Sequence, residues 1–262
     1  PTRRSSDLTP SAPASGSPLV IPNVLRLTGK PALERSAPFE AGWIEVQDAG
    51  SQLLALLVAP RRGQTVVDLC AGAGGKTLAM AADMANKGQI FAYDSDRHRL
   101  APIYDRLKRN GARNVQVRAP GDSVLDDLAG RMDRVVIDAP CTGSGTWRRR
   151  PDAKWKLTAE QLAARAGEQA AILADGARYV RPGGTLVYIT CSVLDEENSR
   201  QVAAFLAGHA DFDMVPMAPL LESLHPGAEN RAHVGPYGVL LTPLRTGTDG
   251  FFVSLMRRLP GL

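Results

Sequence analysis

A doubly wound α/β fold with a mostly parallel sheet is predicted by three features of the sequence. Apolar, β-branched runs alternate with helical segments, a glycine-rich turn directly follows the first such run, and two later runs each end in a cysteine. Strand–helix–strand connections cross over right-handed, which lays the strands parallel. The chain has 262 residues, enough for one large domain of this kind with a sizeable core.

The elements follow in order. Residues 1–18, rich in Pro, Ser, Thr and Arg and lacking periodicity, read as a disordered or foreign N-terminal segment of a chain that starts at Pro1 rather than Met. Residues 19–46 are read as the remnant of an N-terminal subdomain or linker, and residues 47–262 as the main domain. Gln47 to Val58 is apolar at helical spacing. Thr65 to Cys70 is the first strand, and a helix runs from about Lys76 to Ala85. Gln89 to Asp94 is the second strand, and Asp96 to Asn110 the next helix, stopped by Gly111. Asn114 to Ala119 and Arg134 to Asp138 are the third and fourth strands. Thr158 caps a long helix to about Tyr179. Pro182-Gly183-Gly184 turns into a fifth strand that ends at Cys191. Asp195 to Gly208 is helical, Phe212 to Met217 is a sixth strand and Phe251 to Met256 a seventh, with the Pro- and Gly-rich residues 218–248 between them read as loop. Two final strands with no helix between them predict an antiparallel C-terminal hairpin closing a seven-stranded sheet.

Composition excludes several classes. Hydrophobic residues at 44% and charged residues at 22% describe a globular chain rather than a disordered one. No apolar run approaches the ~20 residues of a membrane span, so no membrane partner is expected. Three cysteines without a secretory segment predict free thiols and a cytoplasmic protein. His98, His209, His225 and His233 show no ligand spacing, and Pro140-Cys141 lacks the P-C-x-x-C and H-x-E of zinc deaminases, so no metal is expected. Net charge is only +4, but Arg148, Arg149, Arg150, Lys154 and Lys156 cluster directly after Cys141, which favours a polyanionic partner at that edge.

Asp68-Leu69-Cys70-Ala71-Gly72-Ala73-Gly74-Gly75-Lys76-Thr77 leaves a strand and opens a helix, a place for close backbone approach to a ligand. It misses a P-loop because Cys70 stands where the first Gly is needed, and a dinucleotide fingerprint because Thr77 stands at the third Gly. A loop for an adenosyl-sulfonium ligand remains. Asp94, at the next strand end, would then take the ribose hydroxyls, and Gly121-Asp122 the adenine amino group.

Cys141 and Cys191 end adjacent apolar runs, so both are expected at the C-terminal rim of the sheet, where open α/β sheets bind ligands. A strand-end thiol usually packs as a small hydrophobe. The neighbours of these two favour chemistry instead: Asp138-Ala139-Pro140-Cys141, Arg149-Arg150-Pro151-Asp152 with Lys154-Trp155, Thr190-Cys191-Ser192-Val193 with Glu196-Glu197-Asn198, and Asp249-Gly250-Phe251-Phe252. Together with the glycine loop and Gly42-Trp43…Val46-Gln47-Asp48, and in this order, these segments resemble the Sun/RsmB family of RNA cytosine-5 methyltransferases over about residues 41–262. Within it they are most similar to the bacterial branch that modifies small-subunit (16S) ribosomal RNA. One departure is Ala71-Gly72-Ala73-Gly74, where the family often has Ala-Ala-Pro-Gly; the loop length is unchanged.

The resemblance implies a Rossmann-like, S-adenosylmethionine-dependent methyltransferase fold. It also implies methyl transfer from S-adenosyl-L-methionine to cytosine carbon-5 in RNA, by an enzyme expected to act as a monomer. It implies a donor site at Cys70, Ala71, Gly72, Ala73, Gly74, Gly75, Lys76, Asp94, Arg99, Asp122 and Asp138. The catalytic set would be Cys191, Cys141, Asp138 and Lys76, and RNA would be held by Arg148, Arg149, Arg150 and Lys154, with Trp147 or Trp155 available for stacking. The sequence alone leaves open which cysteine attacks: the Pro-Cys pair of DNA cytosine-5 methyltransferases would point to Cys141, whereas the RNA family assigns attack to Cys191 and product release to Cys141. Members of that branch carry an N-terminal helical RNA-binding domain not found here, so an N-terminally truncated chain is expected. A catalytically silent RNA-binding assembly factor is the alternative. A DNA cytosine-5 methyltransferase is disfavoured because no Glu-Asn-Val follows the Pro-Cys, and an amino-group methyltransferase because Asp138-Ala139-Pro140-Cys141 replaces [DN]-P-P-[YF].

Overall fold

The computed structural model describes residues 23–25, 27, 29, 31–224, 227 and 231–261; the expected N-terminal segment 1–18 lies outside them. The strands are β1 (Thr65–Asp68), β2 (Gln89–Tyr93), β3 (Val115–Arg118), β4 (Met132–Asp138), β5 (Val180–Thr190), β6 (Phe212–Met214), β7 (His233–Gly235), β8 (Gly238–Leu241) and β9 (Phe251–Arg258). The helices that position the site are α1 (Ala37–Glu40), α2 (Ala49–Val58), α3 (Gly75–Asp83), α4 (Arg97–Leu100), α5 (Ile103–Asn110), α6 (Pro151–Lys156), α7 (Ala159–Ala177), α8 (Ser199–Gly208) and α9 (Met217–Leu224).

The sheet runs β3-β2-β1-β4-β5-β9-β8-β7, with β6 also on β9. The first five strands are parallel. β9 is antiparallel to β5, and its other edge is shared: β8 lies along Phe251–Val253 and β6 along Met256–Arg258. The chain steps outward from β1 to β3 and then returns to place β4 beside β1, so the order reverses between these two strands. Ligands of open α/β sheets bind outside such a switch point, at the carboxyl ends of the strands.

The pleat sorts the core. Val66, Val136, Val187 and Ile189 face one side, under α2, α3 and α9, while Val67, Val135, Ile137, Leu186 and Tyr188 face the other, under α7 and α8. Strands buried on both faces read as unbroken apolar runs, which is why β1, β4 and β5 were legible. Capping was legible too. The Thr158 hydroxyl accepts from the Gln161 N–H in a full capping box, and Gly111 ends α5 at φ 63°.

Several expectations need correction. The sheet has nine strands among the described residues, not seven. The sixth and last strands do pair antiparallel, but they are not a simple hairpin, because residues read as loop form α9, the β7–β8 hairpin and a helical turn at Pro243–Thr246. Strands this short, joined through Pro236 and Tyr237, carry too little period-2 signal to stand out. The helix expected from Asp96 to Asn110 is split around Ala101-Pro102, where proline has no N–H to donate. The helix expected from Asp195 begins as a 3₁₀ turn, Asp195–Glu197, and restarts as α8 beyond Asn198. Pro182-Gly183-Gly184 lies inside β5 as a bulge, between the pairs Met132↔Val180 and Arg134↔Thr185.

Among the described residues no helix is long and apolar enough to cross a membrane. Just before β9, the chain crosses the loop that follows β4 with almost no space between the backbones. The Gly250 N–H donates to the Gly145 carbonyl at 2.8 Å, and a Cβ on Gly145 would lie 2.0 Å from the Gly250 oxygen. Gly145→Ala is therefore expected to cost about 1–3 kcal/mol, as overpacking does in a rigid interior. Urea unfolding checks this; an unchanged midpoint would mean that the crossing has room.

Candidate functional site

β1 delivers the glycine loop. The Ala71 N–H donates to the Tyr93 carbonyl at 2.9 Å, tying the loop to the end of β2. Asp94, almost fully buried, accepts from the Gly72 N–H at 2.9 Å and from the Asp96 N–H at 2.9 Å, and the Arg99 guanidinium lies 3.9 Å from it. Gly74 takes φ 82° and packs on Ile103 so closely that a Cβ would lie 2.5 Å from the Ile103 side chain. The result is a cleft of about 350 Å³. It is lined by Cys70, Ala71, Gly72, Ala73, Gly75, Lys76, Arg99 and Asp138, eight of the expected donor-site residues. Gly74 and Asp94 stand directly behind this wall. Asp122 is exposed beyond β3 and is not part of the lining.

Four lining residues were not among the expected donor-site residues: Val46, Gln47, Ser51 and Arg106. Gln47 and Ser51 are hydrogen-bonded at 2.8 Å across one turn. Arg106 donates to the Ala73 carbonyl at 2.7 Å and pairs with Glu45, which also takes Arg109 and Asn110. This ring of donors holds the Glu45 carboxyl below its usual range although burial opposes the shift. It also fastens residues 42–48 along the mouth of the cleft.

At the inner end, the Lys76 ammonium is buried and lies 2.6 Å from Asp138. Burial opposes its charge, but Asp138 and Asp68 together hold its pKa above the ordinary lysine value. Asp68, beneath, accepts from the Thr77 hydroxyl at 2.7 Å; burial pushes its carboxyl up to about 7, and the nearby Asp138 adds to the shift.

Cys141 and Cys191 stand with their sulfurs 3.3 Å apart. β4 and β5 run side by side with Asp138 opposite Ile189, so their outgoing loops start level. Hydrogen bonds then lock the loops together. The Gly145 N–H donates to the Cys191 carbonyl at 3.0 Å, the Ser144 and Ser192 hydroxyls pair at 2.8 Å, and the Val193 N–H donates to Ser144 at 2.9 Å. Asn198 takes the Thr190 hydroxyl at 2.6 Å and donates to the Ser192 carbonyl at 3.0 Å.

The two thiols are not equivalent. The hydrogen bond with Cys141 lowers the pKa of Cys191, against burial and Asp138, and Lys76 adds to the lowering. The same hydrogen bond and burial raise Cys141 well above the usual thiol value. Of the two, Cys191 is therefore the more readily ionised. Cys70, the third cysteine, has its thiol pushed up by burial and by Asp68, Asp138 and Asp94, and is unsuited to attack.

The expected RNA-contacting cluster divides. Arg148 and Arg149 both pair with the fully buried Asp249, at 2.9 and 2.5 Å, so each fixes the chain just before β9 while remaining half exposed. Arg150 is exposed at the start of α6. The Lys154 ammonium lies 5.9 Å from the Trp147 ring and 5.4 Å from that of Trp155, which is 82% exposed. A tryptophan this bare is available for stacking rather than core packing. Among the described residues no group of three or more His, Cys, Asp or Glu is placed to hold a metal ion.

The family model of the 16S rRNA methyltransferases RsmB/F matches residues 55–257. A ribosomal RNA small subunit methyltransferase B of Sodalis glossinidius is 38% identical over 237 residues, covering 90% of this chain and 51% of that protein. The chain thus spans about half the length of the curated relatives it matches. Two solved structures from Pyrococcus horikoshii share the fold. NSun6 with SFG is 27% identical, with TM-score 0.74 over 88% of this chain and 57% of that one. A methyltransferase homolog protein is 30% identical, with TM-score 0.71 over 87% and 72%.

The thiol pair yields a direct test by iodoacetamide alkylation at varied pH, with each cysteine read by peptide mapping. A lowered pKa means that Cys191 reacts at a lower pH than an ordinary thiol. Cys141→Ala removes the hydrogen-bond partner and Lys76→Met the cation, so in both variants the Cys191 midpoint should move to higher pH. A midpoint that stays or falls would contradict the assignment.

Proposed function

Because the chain belongs to the 16S rRNA methyltransferase RsmB/F family, we propose that it transfers a methyl group from S-adenosyl-L-methionine to carbon-5 of a cytosine in small-subunit ribosomal RNA, in the cytoplasm, through a covalent cysteine–cytosine adduct. The observation that carries this reading is the pair of sulfurs 3.3 Å apart, beside the Lys76–Asp138 ion pair at the inner end of the cleft. The residues present fit the donor: the loop brings backbone close to the cleft, and Asp94 keeps acceptor capacity for ribose hydroxyls beyond the two N–H groups it already takes. When bound, S-adenosylmethionine supplies an electrophilic methyl group.

Cytosine carbon-5 is a poor nucleophile. Addition of the Cys191 thiolate to carbon-6 forms an S–C bond and moves electron density to carbon-5, which can then take the methyl group. Asp138 would hold the edge of the base and favour ring protonation as the sulfur adds, with Lys76 orienting Asp138. A base then removes the carbon-5 proton, the S–C bond breaks and the thiolate returns to Cys191. Cys141, adjacent to that sulfur, serves this release step. The base must be single-stranded or flipped to reach the thiols. Arg150 and Lys154, with the outward faces of Arg148 and Arg149, would hold the RNA backbone beside them, and Trp155 would offer a stacking surface.

The test is labelled methyl transfer to unmethylated 16S rRNA, with nucleoside digestion to identify the product. 5-Methylcytidine is expected from the parent chain and none from Cys191→Ala. Cys141→Ala should accumulate a protein–RNA adduct stable to denaturant. A parent chain that binds the RNA but transfers nothing would favour a silent assembly factor. An active Cys191→Ala beside a dead Cys141→Ala would reverse the roles. Asp94→Ala should weaken donor binding by about tenfold or more, the scale of a lost charge-assisted hydrogen bond, measured by calorimetry; unchanged affinity would remove Asp94 from the donor site.

A further inference from the structure

Behind the two thiols lies a carboxylate that the reaction above does not use. Glu197, in the 3₁₀ turn Asp195–Glu197, is fully buried. A buried carboxylate is costly unless its oxygens are well supplied with donors. Here the Thr142 N–H donates to Oε1 at 2.8 Å, the Thr142 hydroxyl to Oε2 at 2.5 Å, and the Gln169 amide, from α7, to Oε1 at 3.0 Å. The same Gln169 amide donates to the Pro140 carbonyl at 2.9 Å. These contacts grip the residues on either side of Cys141. The Glu197 carbonyl also accepts from the Tyr188 hydroxyl at 2.7 Å, which joins the clamp to the strand leading to Cys191. Among the described residues Glu197 pairs with no Lys, Arg or His.

The charged and titratable groups around the two sulfurs are unevenly placed. Lys76, Asp138 and Arg149 act on Cys191, whereas Glu197 acts on Cys141 with Tyr188 beneath it. Building on the reading that Cys191 attacks, we propose that Glu197 is the positioning residue that divides the labour of the two cysteines. It clamps the Cys141 loop through Thr142 and Gln169, and its negative charge on that side keeps the shared proton on Cys141 and the thiolate on Cys191. Geometry and electrostatics act in the same direction: the hydrogen bond to Cys191 and burial raise the Cys141 thiol, and Glu197 adds to them.

Glu197→Gln separates charge from shape. The amide oxygen still accepts at the Oε1 position, and the Thr142 hydroxyl can turn to accept from the amide nitrogen. Competitive iodoacetamide labelling at neutral pH reads the outcome as the ratio of Cys191 to Cys141 modification. Loss of the charge should reduce the preference for Cys191 about tenfold, the equivalent of one pK unit, with the unfolding midpoint near that of the parent. Glu197→Asp, which keeps the charge, should keep Cys191 the first to react. An unchanged ratio in folded Glu197→Gln overturns the proposal. So does a Glu197→Asp protein that loses the preference, since shape alone would then set it; this second variant decides the matter if Glu197→Gln does not fold. The labelling needs neither RNA nor methyl donor, so a failure here is distinct from a failure of methyl transfer.

Discussion

Ser144 and Ser192, both buried, share a 2.8 Å hydrogen bond, and around it two loops from neighbouring strands are joined. The site depends on this joint. Parallel strands lie about 4.8 Å apart, so loops leaving β4 and β5 at one height would meet only loosely. The Gly145–Cys191 and Asn198–Ser192 bonds turn that proximity into a fixed sulfur separation of 3.3 Å. A buried, nearly saturated polar network of this kind stiffens what it connects, because each broken bond would leave an orphaned group. The residues just before β9 complete the joint, since Gly250 crosses Gly145 and Asp249 draws in Arg148 and Arg149.

Charge placement converts that geometry into chemistry. One side of the thiol pair faces a buried ammonium, the other a buried carboxylate. Three cysteines of identical intrinsic chemistry thereby take three characters. Cys191 is biased toward thiolate, Cys141 toward thiol, and Cys70, among carboxylates and in the wall of the cleft, toward an inert thiol. The cleft ends where Lys76 and Asp138 meet, and both of these charges also act on Cys191.

Much of this was legible in the sequence because the physics is local. Apolar runs buried on both faces mark β1, β4 and β5, and Thr158 and Gly111 mark helix ends. The strand-end positions of Cys141, Cys191, Asp68 and Asp138 followed from those runs and placed them on one rim. What was missed is what depends on distant partners. The β7–β8 hairpin exists because β9 offers half an edge to pair with, which a run of three or four residues does not announce. Glu197 stood out only as part of the Glu196-Glu197-Asn198 segment and Gln169 as a polar residue of a long helix, and only the fold reveals that both are buried behind Cys141. Arg148 and Arg149 read as part of a free basic cluster, whereas Asp249, about a hundred residues away, holds them.

The most direct measurement uses RNA bearing 5-fluorocytosine at the target position, with S-adenosylmethionine present. Fluorine at carbon-5 leaves no proton to remove after methylation, so the S–C bond cannot be released and the attacking residue stays attached. Peptide mapping of the adduct should find the base on Cys191. A base on Cys141 would contradict the division of roles between the two sulfurs, and with it the assignment of the thiolate to the Lys76 side of the site.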